Sequence, residues 1–259
     1  MCRSSLHNLL GAIFLSCMQF HCVFAQGVIS HAHNDYEKPL PLWNALQHDF
    51  GSIEIDIARL DSSLIVTHTL DSLYFKPTLE ELYFEPLVSY LDTATTSLWL
   101  LVDLKRFDYQ TLDLLHEIVS KNEHLFLRRS DPEGSKPLQI ILSGSMPRRE
   151  IMNSAKYIYF FIDGRIEHLG QGYATSSMPL ISANFSQIST WNGVGEMSET
   201  DQQLLRSIVD RVIGENKKLR FWKTVDSEIV WEALIALGVH VIGTDEVERL
   251  DLFLQMRGK

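Results

Sequence analysis

Cysteine is scarce in this chain and confined to its start: the three in 259 residues are Cys2, Cys17 and Cys22. From Gly27 onward no disulfide can staple the fold, and no thiolate can serve as nucleophile or zinc ligand. Positive charge is also short, with 23 Lys and Arg against 33 Asp and Glu and a formal net charge of −10. That balance argues against a protein that tracks a nucleic-acid backbone. It leaves room for one anion in one strong local site, above all where a metal cation shares it. No serine-centred hydrolase motif is present, and Ser143 and Ser145 around Gly144 read as turn residues. Linkers rich in Pro or Ser and internal repeats are missing too, which favours one domain.

Only one apolar run is long. It extends from Leu9 to Phe24, follows Arg3, and ends at Val23-Phe24-Ala25 with small residues where a signal peptidase wants them. Residues 1–25 therefore read as a cleaved signal peptide and 26–259 as the folded domain, exported to the periplasm or secreted. A membrane anchor is the rival reading, but about 16 residues with His21 among them are short for a bilayer that needs roughly 20. Lipid attachment at Cys17 or Cys22 fits poorly with the preceding Phe14-Leu15-Ser16.

Beyond Gln26, short apolar runs alternate with amphipathic stretches. Strands are expected at Val28–His33, Ser52–Ile57, Leu98–Lys105, Leu138–Gly144, Tyr157–Asp163, Pro179–Ser186, Leu219–Thr224 and Val239–Asp245, each continuous as a strand covered on both faces should be. Helix starts are marked by Thr78-x-x-Glu81 and Thr200-x-x-Gln203, both shaped as capping boxes, and by Asp226 or Ser227 before Glu228–Leu237 with Gly238 as its stop. A last helix follows at Glu246–Met256. Eight strands alternating with helices predict a (β/α)8 TIM-type barrel, with a doubly wound open sheet as the alternative.

Ionisable residues recur where the predicted strands end. Side chains i and i+2 share one face of a strand, so Glu54 and Asp56 project together while Ile53, Ile55 and Ile57 point the other way. Asp103 and Lys105 likewise share a face on the next strand. Neighbouring carboxylates repel and are expensive to bury, so positive charge should lie close. A hard divalent cation held by Glu54, Asp56 and Asp103 would supply it, because Mg²⁺ and Ca²⁺ prefer oxygen ligands. An Arg or Lys network would do so as well. His31 and His68, near the ends of the first two strands, suit a general acid and base at neutral pH.

Other polar residues stand beside these. His33, Asn34 and Asp35 either shape the site or cap the following turn. Asp163 and Arg165 flank a glycine, with a substrate role and a structural salt bridge both open. Trp222 and Lys223 end the seventh strand, where Trp222 reads as a wall for a head group or, more simply, as core. Thr244 and Asp245 would orient a site residue or cap the last helix.

At these residues the chain resembles the phospholipase-C-like phosphodiesterase superfamily, which includes glycerophosphodiesterases and sphingomyelinase D. Within it the chain is most similar to the branch named after the altered inheritance of mitochondria protein 6. The resemblance is carried in order by H-A-H-N-D-Y at His31–Tyr36, I-E-I-D at Ile53–Asp56, V-T-H at Val66–His68, V-D-L-K at Val102–Lys105 and D-G-R at Asp163–Arg165, then by Arg220-Phe221-Trp222 and the G-V-H-V-I-G-T-D of Gly238–Asp245. It implies a TIM-type barrel and phosphodiester cleavage, His31 and His68 as catalytic histidines, Glu54, Asp56 and Asp103 as ligands of Mg²⁺ or Ca²⁺, and Lys105 on the phosphate. Two departures separate the chain from glycerophosphodiesterases: Thr69 stands where they carry Asp, and their P-E-N-T stretch is missing.

The expected function is hydrolysis of a glycerophosphodiester or phospholipid-type substrate, with water or the substrate's own hydroxyl as attacker. Contact with a membrane surface would come through that substrate, and neither a nucleic acid nor an obligate protein partner is implied. One alternative is an amidohydrolase-like metal enzyme, for which His31-x-His33 has the right spacing. The other is an exported barrel that binds head groups without catalysis.

Overall fold

The protein, described by a computed structural model over residues 27–71, 73–92 and 96–258, folds its continuous apolar runs into strands. The segment read as a signal peptide lies outside the described residues. The strands are β1 Ile29–Ala32, β2 Ser52–Leu60, β3 Ser63–Val66, β4 Leu98–Leu104, β5 Leu138–Gly144, β6 Phe160–Gly164, β7 Leu180–Asn184, β8 Lys218–Trp222 and β9 Val241–Thr244. All pair in parallel except β3, which folds back antiparallel on the far half of β2. Because β1 pairs with both β2 and β9, the eight parallel strands close on themselves. The result is a (β/α)8 barrel, and the open-sheet alternative falls.

Helices α1 Trp43–Gln47, α2 Glu85–Leu91, α3 Tyr109–Lys121, α4 Arg148–Asn153, α5 Glu199–Gly214, α6 Glu228–Leu237 and α7 Val247–Arg257 surround it. The Thr78 capping box forms, with the Thr78 amide donating to Glu81 Oε2 at 3.0 Å and the Glu81 amide to Thr78 Oγ1 at 3.2 Å. It opens a π-helical turn that runs into α2. The Thr200 box does not form. Ser198 caps α5 instead, accepting from the Asp201 amide at 3.1 Å, and Thr200 lies inside the helix. Ser227 caps α6, and Gly238, at φ +95°, ends it as expected.

Alternation within the strands divides the molecule into two cores. Ile53, Ile55 and Ile57 of β2, Leu100 and Val102 of β4, and their counterparts pack outward against the helices. Leu101, Ile141, Phe161, Leu180 and Val241 form a separate apolar cluster with Leu127, inside the barrel. Two residues further along the same strands, on the same inward face, the chemistry changes to Asp103, Ser143, Asp163, Ser182 and Gly243. A polar layer thus rests directly on an apolar plug, at the strands' C-terminal ends. Gly144 lets two of those ends meet: it sits at φ +87°, and a Cβ there would lie 2.5 Å from the Leu104 carbonyl oxygen.

Candidate active site

A cavity of about 560 Å³ opens above the polar layer. Glu54 and Asp103 line it, Asp56 lies fully buried behind them, and one oxygen from each of the three lies within 4.8 Å of the others. The i, i+2 spacing of β2 supplies the first two, and the register that sets Asp56 opposite Asp103 supplies the third.

Each carboxylate has a counter-charge. Arg220, on β8, bonds Glu54 Oε2, which also accepts from His31 Nε2 at 3.0 Å. Asp56 Oδ2 accepts from Tyr36 at 2.6 Å, His68 Nδ1 at 2.8 Å and Lys105 Nζ at 2.6 Å. Lys105 also reaches Asp103 Oδ1 at 3.2 Å. The structural network of cations is therefore real, but two cations against three carboxylates leave a negative excess.

That excess is visible in the electrostatics. Burial pushes the Asp103 carboxyl up, and the Asp56 and Glu54 charges add to it against the pull of Lys105. Burial works against ionisation of Glu54 too, but Arg220 and the His31 hydrogen bond outweigh it and hold that carboxyl well below its usual range. Asp56 Oδ1 is buried with no hydrogen-bond partner among the described residues. An orphaned carboxylate oxygen beside two more carboxylates is the oxygen-only donor set that a hard divalent cation takes. The residues therefore fit Mg²⁺ or Ca²⁺.

The histidines separate into two environments. His68 lines the cavity with a side chain 56 % exposed. His31 is sealed beneath the floor with a side chain 1 % exposed, and burial followed by the Arg220 charge pushes its pKa down to about 4. A carboxylate only accepts, so His31 Nε2 carries the proton and Nδ1 accepts from Ser52 Oγ at 2.8 Å. Both ring nitrogens are thus engaged by protein.

His33 and Asn34 line the mouth, with His33 Nδ1 3.1 Å from Asp245 Oδ1. Asp35 does not: it is fully buried and ties the loop down by accepting from the Leu42 amide at 2.6 Å and Tyr83 at 2.8 Å. Asp163 and Arg165 do form a salt bridge, at 2.6 Å, and both also line the cavity. Trp222 and Lys223 line it as well, the Lys223 ammonium 5.3 Å from the Trp222 ring centre. The simpler placement of Trp222 in the core is thus corrected. Ser143 is corrected too: far from a turn residue, it is buried and donates to Asp163 Oδ2 at 2.8 Å.

Arg220 and Tyr36 are site residues that the sequence reading quoted in motifs without giving them roles. Arg220 was open to discovery, since it shares a strand face with Trp222. Tyr36 follows β1 in a turn, where no periodicity aims a side chain.

Comparison with known proteins agrees with this architecture. The family model described as the AIM6-like phosphodiesterase domain matches residues 23–97. Altered inheritance of mitochondria protein 6 of Saccharomyces cerevisiae is 25 % identical over 270 residues, covering 86 % of this chain and 69 % of that protein. The crystal structure of a glycerophosphodiester phosphodiesterase from Agrobacterium tumefaciens superposes with a TM-score of 0.57 at 15 % identity, over 90 % of this chain and all of that one. The tryptophan synthase alpha-subunit of Pyrococcus furiosus gives 0.54 at 16 % identity, covering 91 % and 99 %. The barrel alone therefore does not select a chemistry. Taken with the ordered motifs of the sequence, the match at the N-terminal third and the similarity along the chain identify this protein as one that resembles the AIM6-like phosphodiesterases.

Proposed function

We propose that the chain is a divalent-cation-dependent phosphoric diester hydrolase acting on a phospholipid-type substrate or a glycerophosphodiester. The observation that carries this reading is the convergence of Glu54, Asp56 and Asp103 at the base of a cavity that Glu54, Asp103, Lys105, Arg165 and Lys223 line. A phosphodiester is an anion that repels its attacker, and a site that cleaves it has to neutralise its non-bridging oxygens.

Glu54, Asp56 and Asp103 would hold Mg²⁺ or Ca²⁺, which when bound polarises a phosphoryl oxygen. Lys105, Arg165 and Lys223 add positive charge around the phosphate. Asp56 keeps the proton of His68 on Nδ1, so Nε2 is turned to the cavity as a proton carrier. Trp222 offers an apolar wall to the head group. The amidohydrolase alternative needs His31 and His33 to converge on one metal, whereas both ring nitrogens of His31 are spent on Ser52 and Glu54.

Within the two substrate classes, one observation favours a lipid. The loop after His68 exposes Leu70 by 48 %, Tyr74 by 78 % and Phe75 by 90 %. Apolar side chains held in water a few residues past the cavity-lining His68 suit a substrate with acyl chains at a lipid surface. No helix among the described residues is long and apolar enough to cross a membrane.

The test is hydrolysis of a panel of soluble glycerophosphodiesters and vesicle-borne phospholipids, with and without a chelator, by wild type and Glu54→Gln. Chelation should abolish turnover, the substitution should lower it by more than about 100-fold, and vesicle-borne substrate should be preferred. Turnover that survives both treatments contradicts the proposal. Cation binding without cleavage of any phosphodiester would instead assign the head-group-binding alternative.

A further inference from the structure

Three buried polar atoms without a hydrogen-bond partner among the described residues sit on three successive strands of one cavity wall: Asp163 Oδ1 on β6, Ser182 Oγ on β7 and Arg220 Nε on β8. All three residues line the cavity, and they are 0 %, 1 % and 4 % exposed. Register makes them neighbours. Asp163 pairs with Leu180, Ser182 stands two residues beyond Leu180 on the same face, and Ser182 pairs with Arg220. Gly243, on β9, carries no side chain to cover the last of them: a Cβ there would lie 4.0 Å from Arg220 Nε. A polar group buried without a partner is costly, and a fold that keeps three on adjoining strands points to a ligand that pairs them.

The charge of this wall narrows the ligand. Arg165 already matches Asp163, its Nη1 donating to Oδ2 at 2.6 Å, and Ser143 donates to the same oxygen at 2.8 Å. Arg220 is matched by Glu54. What faces the cavity is therefore hydrogen-bonding capacity rather than net charge: Asp163 Oδ1 accepts, the Ser182 hydroxyl does either, and Arg220 Nε donates. An alcohol fits. Its hydroxyl can donate to Asp163 while accepting from Ser182, and a second hydroxyl can accept from Arg220. A quaternary ammonium fits badly, because it makes no such bonds and the carboxylate it would seek is held by Arg165. The Trp222 ring it would stack on already has the Lys223 ammonium 5.3 Å from its centre.

We infer that Asp163, Ser182 and Arg220 Nε form the recognition site for an uncharged, hydroxyl-bearing group of the substrate, so that the enzyme selects polyol diesters over choline-type ones. The inference rests on the phosphodiesterase reading above and names its substrate class. Such hydroxyls belong to a polyol head group or to the glycerol of a deacylated lipid, and the chemistry that recognises them is the same. A site built around a substrate's hydroxyls rejects an analogue without them far more strongly than an apolar pocket rejects a missing methylene, because its buried groups are then left unpaired.

The experiment measures kcat/KM for three p-nitrophenyl phosphodiesters whose second ester group is glyceryl, propyl or choline, with wild type, Asp163→Asn and Ser182→Ala. Wild type should favour glyceryl over both others by at least about 100-fold. In Asp163→Asn, Arg165 and Ser143 keep the one remaining oxygen, and an amide donor takes the place of Oδ1. Ser182→Ala removes only a hydroxyl that bonds nothing among the described residues, so its fold should stay intact. Each should lower the glyceryl-to-propyl ratio by about 10-fold or more, and any general loss of activity cancels in that ratio. Glycerophosphocholine is hydroxylated on its glycerol alone and phosphatidylglycerol on its head group alone, so the one cleaved faster than phosphatidylcholine carries the group that the site holds. A wild-type ratio near one, a preference for choline, or a ratio unmoved in both folded variants overturns the inference and leaves the phosphodiesterase reading standing. A wild type that cleaves no phosphodiester overturns both.

Discussion

Arg220 is the residue on which the others lean. It is 4 % exposed and bonds Glu54, which is 7 % exposed, across 166 positions of sequence. Removing one partner of a buried pair leaves an uncompensated charge, which destabilises by about 3–5 kcal/mol. Arg220→Met should therefore unfold at lower urea by an amount near that range, and Mg²⁺ or Ca²⁺ should restore part of it by standing in as counter-charge. A variant as stable as wild type would show that Glu54 does not depend on this arginine.

Asp35 makes a second residue-scale prediction, independent of the site. Burial raises its pKa above the ordinary carboxylate value, against the pull of the Leu42 amide and Tyr83. Its folded pKa exceeds its unfolded one, so its stabilising share is present at low pH and is lost as pH rises through the folded value. Asp35→Asn should remove that dependence. The stability difference between Asn and wild type, read from urea midpoints, should grow in favour of Asn from pH 4 to pH 7; a constant difference contradicts it. At this scale, sequence reading reaches what spacing fixes. Glu54, Asp56 and Asp103 are legible because a strand's two-residue period aims them, whereas the bond from Arg220 to Glu54 depends on barrel closure.

At the scale of elements, the strands were legible because a strand buried on both faces has to be continuously apolar. Their ends were less so: β6 begins at Phe160 rather than Tyr157, because the Phe160 amide bonds back to the Tyr157 carbonyl at 3.2 Å and holds the preceding residues in a turn. The start of α5 shows a pattern outcompeted by a contact. Thr200-x-x-Gln203 has the form of a capping box, yet Asp201 Oδ2 accepts from Ser189 Oγ at 2.7 Å while its amide donates to Ser198. That tertiary tie sets the cap two residues earlier. Ser198→Ala should thus cost about 1 kcal/mol in chemical denaturation, and Thr200→Ala less than about half of that. The reverse order would restore the cap to Thr200.

For the molecule as a whole, eight strands in order predicted a barrel, but periodicity carries no information on whether the last strand meets the first. The pairings of β1 with β2 and with β9 decide it. Closure then does what no single strand can: it gathers β1, β2, β4, β8 and β9 so that three carboxylates and two counter-cations meet at the base of a cavity that the mouth histidines also line. The apolar plug beneath keeps water out from below, and the polar layer above it remains one positive charge short. The chemistry proposed for the site requires that shortfall to be met by a divalent cation. Calorimetric titration of Mg²⁺ and of Ca²⁺ into chelator-stripped protein tests it most directly. We expect one site per chain, lost in Glu54→Gln and in Asp103→Asn variants that keep their circular dichroism. A wild type that takes up neither ion, or folded variants that bind as wild type does, would contradict it.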